Sequence, residues 1–254
     1  TQLSHDWCVE LSEATDRTNK YKHSLTTPLS PEAELYTALV VATRDYVQKS
    51  GFTDICLGLS GGVDSALVAT IATDALGADH VHPVLMPSRY SSDHSLNDAQ
   101  DLLERQGIVA QTVPIEETHQ SFHNLLSPSL GDELPGFTDE NLQARIRGVL
   151  LMALSNAFGW LVLTTGNKSE SAVGFSTLYG DTAGAYAVIR DVYKTKVYAL
   201  CRWRNEQEDS PVIPENILTK APSAELRPDQ RDDQRLPPYE ILDPLLEAYI
   251  EGDR

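Results

Sequence analysis

Six consecutive residues, Ser60-Gly61-Gly62-Val63-Asp64-Ser65, put two hydroxyls, two glycines and a carboxylate into a single short stretch. The apolar run Ile55-Cys56-Leu57-Gly58-Leu59 precedes them, and Ala66, Leu67, Ala69, Thr70, Ile71, Ala75 and Leu76 follow at helical spacing. This pattern predicts strand, tight turn and helix. Backbone N–H groups of the turn and first helical turn then converge on one pocket, with the positive end of the helix dipole behind them, an arrangement suited to a phosphate. The Ser60 and Ser65 hydroxyls can donate to the same anion, whereas Asp64 repels it unless a divalent cation lies between them. The stretch therefore predicts a nucleotide with magnesium. It lacks the Gly-Lys-Ser/Thr ending of a P-loop. An ordinary glycine-rich turn would explain Gly61 and Gly62, but not two hydroxyls and an acid in register with them.

The elements that must position this loop can be read on either side of it. Ser30-Pro31 is a good helix start, and Leu35, Ala38, Leu39, Ala42, Tyr46 and Val47 form the face expected to pack on a sheet. After the loop helix, Gly77 breaks the pattern, residues 81–86 read as a strand stopped by Pro87, and 88–93 as a polar loop. A helix over about 96–106 and a strand over 109–113 follow. Residues 127–139, with Pro128, Gly131, Pro135 and Gly136, read as an exposed loop, 140–158 as a long helix and 160–164 as a buried strand. Residues 177–184 have loop chemistry and 194–203 read as a helix. Residues 205–238 form a long loop expected to order on binding, and 239–250 a last helix. Alternation of strands and helices predicts an α/β fold with a doubly wound parallel sheet, helices on both faces and ligand loops at its C-terminal edge.

Twenty Lys+Arg against 37 Asp+Glu in 254 residues give a net charge of −17. That balance argues against a broad nucleic-acid surface, since such binding is driven by cations that displace counterions from phosphates. Three scattered cysteines, Cys8, Cys56 and Cys201, lack metal-ligand spacing and fit a reducing compartment. No run approaches the roughly 18 apolar residues of a membrane helix. A cytoplasmic protein is expected. His119 and His123 stand at i, i+4, but without an evident third ligand they read as surface residues. Cys56, inside an apolar strand, reads as packing.

Ser-Gly-Gly-x-Asp-Ser closely resembles the signature of the ATP pyrophosphatase superfamily, whose members release AMP and pyrophosphate. Read with Asn141-Leu142-Gln143-Ala144-Arg145-Ile146-Arg147, Thr165-Gly166-Asn167-Lys168-Ser169-Glu170, Tyr179-Gly180-Asp181, Lys194-Thr195 and Pro222-Ser223-Ala224-Glu225-Leu226, it stands in the order and spacing of NAD synthetases. The chain is similar to the synthetase domain of the glutamine-dependent type over roughly residues 30–250, with residues 1–29 resembling a linker or the tail of an upstream domain. The resemblance implies an adenine nucleotide alpha hydrolase-like fold and the ATP-dependent amidation of deamido-NAD to NAD. The nicotinate carboxylate is adenylated, pyrophosphate leaves, and ammonia displaces AMP.

The roles are carried over by the same resemblance. Gly58, Leu59, Ser60, Gly61, Gly62, Val63, Asp64 and Ser65 are expected to hold the ATP phosphates. Asp64 and Glu170 would face magnesium, Thr165 and Ser223 would contact ATP, and Lys194 would reach the phosphates. Asp64, Glu170 and Lys194 form the expected catalytic set. Asn141, Arg145, Glu170, Tyr179 and Asp181 match positions that contact deamido-NAD, and Arg147 stands beside them. The family also implies a homodimer and, in glutamine-dependent members, a nitrilase-like glutaminase domain upstream. Here ammonia is expected from solution or from such a domain elsewhere. The family's C-terminal Lys-Arg segment has no counterpart before Arg254, and Tyr193 replaces a common proline. The rivals are another ATP pyrophosphatase, such as a GMP synthetase type or an RNA-thiolating enzyme, and an adenine-nucleotide-binding module without turnover.

Overall fold

Strands β1 (Ile55–Gly58) and β4 (Leu161–Thr164) are almost wholly apolar because they are covered on both faces. Successive side chains point to opposite sides of the sheet. Ile55, Leu57, Leu161 and Leu163 enter one apolar cluster, while Cys56 and Val162 enter a second across the sheet. Strand β2 (Val81–Leu85) divides the same way, Val81 and Leu85 to the first and Val84 to the second. The computed structural model describes residues 28–131 and 134–252. Residues 1–27, with Cys8 and most of the expected linker, lie outside the described residues.

Adding β3 (Gln111–Thr112) and β5 (Tyr186–Ala187), the sheet has the order β3-β2-β1-β4-β5, every pair parallel. The doubly wound expectation holds. Its chain order turns from one direction to the other between β1 and β4, so the loops leaving these two neighbours splay apart and open a crevice. The two motifs at residues 58–65 and 165–170 are the loops in question.

The first cluster lies under α1 (Pro31–Lys49), α2 (Val63–Leu76), α3 (Asp93–Gln106), α7 (Lys194–Asn205) and α8 (Glu215–Thr219). The second lies under α5 (Gly136–Phe158) and Ile115, which precedes α4 (Glu116–Leu130). Helix α2 is buried nearly all round, as a central helix must be. Two further helices, α6 (Lys168–Ala172) and α9 (Tyr239–Ile250), pack on each other and on α7. Among the described residues, contacts cluster those from Glu32 onward as one unit. Among the described residues no helix is long and apolar enough to cross a membrane.

Several expectations are corrected. Residues 127–130 and 136–139 are helical rather than loop: α4 runs through Pro128 to Leu130, and α5 already begins at Gly136. Proline removes one N–H, and the Asn124 carbonyl four residues back accepts instead from the Ser127 hydroxyl at 3.3 Å. Helix α3 starts at Asp93 rather than near 96, because Ser92 caps it by accepting from Ser95 N–H. On α1 the buried residues are Tyr36, Thr43 and Val47, while Ala38, Ala42 and Tyr46 are exposed. Tyr36 and Thr43 tolerate burial because their hydroxyls donate to Asp74 and to the Leu39 carbonyl. Residues 205–238 carry α8 and a 3₁₀ turn, Asp232–Gln234, and are tied to the sheet-edge helices by hydrogen bonds. His119 is buried, not a surface residue.

Gly61 sits at φ +77°, and a Cβ there would lie 2.1 Å from the Ser95 carbonyl oxygen. Gly61→Ala is expected to destabilise the chain by ~1–3 kcal/mol for the strained backbone alone, and further through displacement of α3. Urea unfolding measures this, and an unchanged midpoint would contradict the close approach.

Candidate active site

Three helices begin at the crevice, and each contributes one charged side chain. Asp64 lies in the first turn of α2, Glu170 in the first turn of α6, and Lys194 is the first residue of α7. The Lys194 ammonium donates to Asp64 Oδ2 at 2.5 Å and to Glu170 Oε1 at 3.3 Å. Only 3% of the lysine side chain is exposed, against 18% of each carboxylate. All three line a cavity of about 520 Å³.

Asn167 arranges both acids. Its Oδ1 accepts from the Glu170 N–H at 2.9 Å as the N-cap of α6, with Glu170 reaching back to the Asn167 N–H in a capping box. Its Nδ2 donates to Asp64 Oδ1 at 2.9 Å. The lysine is fixed from the other side by α9. Asp243, buried, accepts from Thr195 N–H at 2.8 Å and from the Ser169 hydroxyl, which in turn accepts from Lys194 N–H at 2.9 Å. Tyr193 meets Lys194 with φ −65°, the value a proline would impose, so the helix start is kept without one. Its ring also carries the Lys168 ammonium at 4.9 Å.

Burial and the neighbouring Asp64 raise the Glu170 carboxyl to about 7, with Lys194 opposing. Burial alone would depress the Lys194 ammonium, but the Asp64 and Glu170 carboxylates hold it well above its ordinary range. Burial also raises Asp232, whose Oδ2 accepts from Tyr239 while its buried Oδ1 has no partner. Further cations stand on the wall. Arg147, brought down to about 10 by burial, donates to the Met86 carbonyl. Lys220 pairs with Asp98 at 2.8 Å, and Arg235 grips Glu140 with two bonds of 2.7 and 2.8 Å.

Helix α2 has no side-chain cap, so its first N–H groups are open to an anion at the cavity floor. The loop hydroxyls are engaged locally: Ser65 donates to the Gly62 carbonyl at 3.0 Å, and Ser60 Oγ accepts from Gly62 N–H at 3.2 Å. Gly58, Leu59, Ser60, Gly62, Val63, Ser65, Thr165, Ser223, Asn141 and Asp181 all line the cavity. Asn141 accepts from the Thr177 hydroxyl at 2.7 Å, and Asp181, raised by burial, accepts from Thr177 N–H at 2.6 Å. Three expected residues stand off the lining. Gly61 is buried against Ser95, Arg145 donates to the Leu178 carbonyl, and Tyr179 is 81% exposed. Asn167, Asp232, Asp243, Lys220 and Arg235 were not among the expected site residues. Asn167 alone left a sequence signal, Asn-x-x-Glu before a helix.

Comparison with known proteins agrees with this geometry. Residues 35–254 match the family described as NAD synthase. The chain is 56% identical over 220 residues to the glutamine-dependent NAD(+) synthetase of Thermotoga maritima, covering 87% of this chain and 38% of that protein. A solved glutamine-dependent NAD+ synthetase from Acinetobacter baumannii, in complex with ADP, is similar with a TM-score of 0.76 and 48% identity, over 92% of this chain and 42% of that one. An NMN synthetase from Francisella tularensis is similar with a TM-score of 0.77 and 27% identity, over 87% of each chain. The chain thus spans about two fifths of the length of the glutamine-dependent relatives it matches.

A raised carboxyl favours its protonated form in the folded state, so Glu170 contributes stability that is full below its ordinary 4.5 and lost as pH rises through about 7. Without divalent cations, Glu170→Gln should flatten the fall in melting temperature across that window and stabilise the chain at pH 8. Parallel wild-type and variant curves would refute the coupling.

Proposed function

We propose, for a chain that belongs to the NAD synthase family, that it amidates deamido-NAD to NAD with ATP as co-substrate and ammonia as nitrogen donor. The observation that carries this reading is the Asp64–Lys194–Glu170 cluster facing an uncapped helix N-terminus at the fold's switch point. The product is an amide made from a carboxylate, so the chain acts as a carbon–nitrogen ligase.

A carboxylate resists amine attack because oxide is an impossible leaving group. Adenylation replaces it with AMP, and the residues here serve to align and neutralise. The open N–H groups of α2 bind phosphate oxygens. Lys194 lets go of Asp64 and follows the departing pyrophosphate, a mobile point charge on a flexible stem. Asp64 and Glu170 supply hard oxygen donors, a set that fits magnesium, and the ammonium now between them stands where a second cation is needed. Bound there, magnesium would offset charge on the phosphates. Thr165 and Ser223 contact ATP, while Asn141, Glu170 and Asp181 contact the dinucleotide.

Arg145 and Tyr179 complete the dinucleotide site across a two-fold axis. Support comes from the exposed apolar residues beside them, Val149, Met152 and Leu178. In this reading residues 30–254 are the ATP-pyrophosphatase domain, and residues 1–29 are a linker or the tail of an upstream domain. A glutaminase domain of nitrilase type is one source of ammonia, consistent with relatives that are longer and named for glutamine. A cytoplasmic setting fits the two described cysteines, both free and buried.

Incubation of the chain with Mg-ATP, deamido-NAD and ammonium should yield AMP and NAD in equal amounts. Nicotinate mononucleotide offered instead separates this reading from a mononucleotide amidase. Asp64→Asn should keep the fold and slow magnesium-dependent AMP formation by at least about 100-fold, the scale of several kcal/mol from a bridging metal. An unchanged rate would overturn the metal assignment, and ATP binding without AMP would favour the module without turnover.

A further inference from the structure

Away from the cavity lining, α4 and the first turn of α5 bring two imidazoles onto one carboxylate oxygen. His119 Nε2 lies 2.7 Å from Asp139 Oδ1, and His123 Nε2 lies 3.4 Å from the same atom. The i, i+4 spacing puts both histidines on one face of α4, and the three ligand atoms fall within 4.8 Å of one another. Nitrogen and oxygen ligands about 2.0–2.1 Å from a tetrahedral cation lie roughly 3.3 Å apart, so the two measured separations bracket the edge of such a site.

The surroundings are built to hold the carboxylate in place. Asp139 Oδ2 accepts from Gln143 Nε2 at 3.1 Å, and the same amide donates to the Leu226 carbonyl at 2.9 Å. Oδ1 is left to the imidazoles. His119 is 2% exposed and its Nδ1 is buried without a partner, which no surface histidine would accept. His123, with 25% of its side chain exposed, gives the approach path and has room to adjust.

The geometry points to a divalent transition-metal site formed by His119, His123 and Asp139, with zinc(II) its most suitable occupant and water completing the tetrahedron. Two imidazoles and one carboxylate suit zinc, whereas the all-oxygen pair Asp64 and Glu170 suits magnesium. One chain thereby sorts two cations by donor softness. Zinc would clamp α4 to the start of α5, and through Gln143 would stiffen the Leu226 segment at the cavity wall. The unserved His119 Nδ1 lowers affinity, because a metal-bound histidine normally donates its other N–H to a partner.

The test is zinc titration against a chromophoric chelator in excess magnesium, which occupies the oxygen pair. Wild type should take up one zinc per chain. His123→Ala and Asp139→Asn should each weaken that binding by at least about 10-fold, the lower end of what even outer-shell losses cause. The metal-free melting temperature of His123→Ala should match wild type, which separates ligation from folding. Absence of zinc uptake by wild type, or equal uptake by both variants, would overturn the site.

Discussion

A buried ammonium held between two carboxylates is the interaction on which the rest depends. With all three groups ionised, the Asp64–Lys194–Glu170 cluster carries one negative charge in excess, inside a protein wall. Such a cluster is not a stability device, since the attraction within a buried ion pair gives back little beyond the desolvation of its members. The helix dipoles sharpen the point. Asp64 and Glu170 stand at helix N-termini, where negative charge is favoured, but Lys194 stands at the N-terminus of α7, where it is not. Its place is maintained against local preference by the acids. Conflicts of this kind between local rule and observed residue mark functional positions.

The sheet makes that convergence possible. Parallel strands release their loops at one edge, and adjacent β1 and β4 deliver the starts of α2 and α6 to the same crevice. Asn167 then joins the two starts, capping one helix and binding the acid of the other. Asp243 does the same for α7 from α9. Each charged group is thus held by a side chain belonging to a different element, which pre-aligns the site before any ligand arrives.

The sequence made the central strands, the loop helix and the last helix legible because continuous apolar runs and helical periodicity are local signals. Tyr239–Ile250 was readable despite Pro244, while α4 was hidden by Pro128 near its end. The expected face of α1 holds at Leu35, Leu39 and Val47 but misses Tyr36 and Thr43, which are polar in composition and become core residues only once Asp74 and the Leu39 carbonyl are at hand. The same limit applies at the site. Asp64, Glu170 and Lys194 sit in motifs, but Asp243 acts through Ser169 and Thr195, far off in sequence. His119 looked solvated because its carboxylate, Asp139, lies twenty residues away across a helix boundary.

An acidic chain that receives a polyphosphate must solve its electrostatics locally, and the cations on the cavity wall divide the labour by chemistry. Arg235 is locked as a planar fork on Glu140, and Arg147 is buried on the Met86 carbonyl yet remains cationic near neutral pH at a pKa of about 10. Neither has reason to move, so their field is present before binding and needs no reorganisation. Lys194 is different. Its partners are the very carboxylates that a divalent cation would take over, and an ammonium on a flexible stem can exchange them for a phosphate without losing its charge. The net charge of −17 therefore does not oppose the ligand at the site. It is screened within about 8–10 Å at physiological salt, whereas the wall cations act at contact distance.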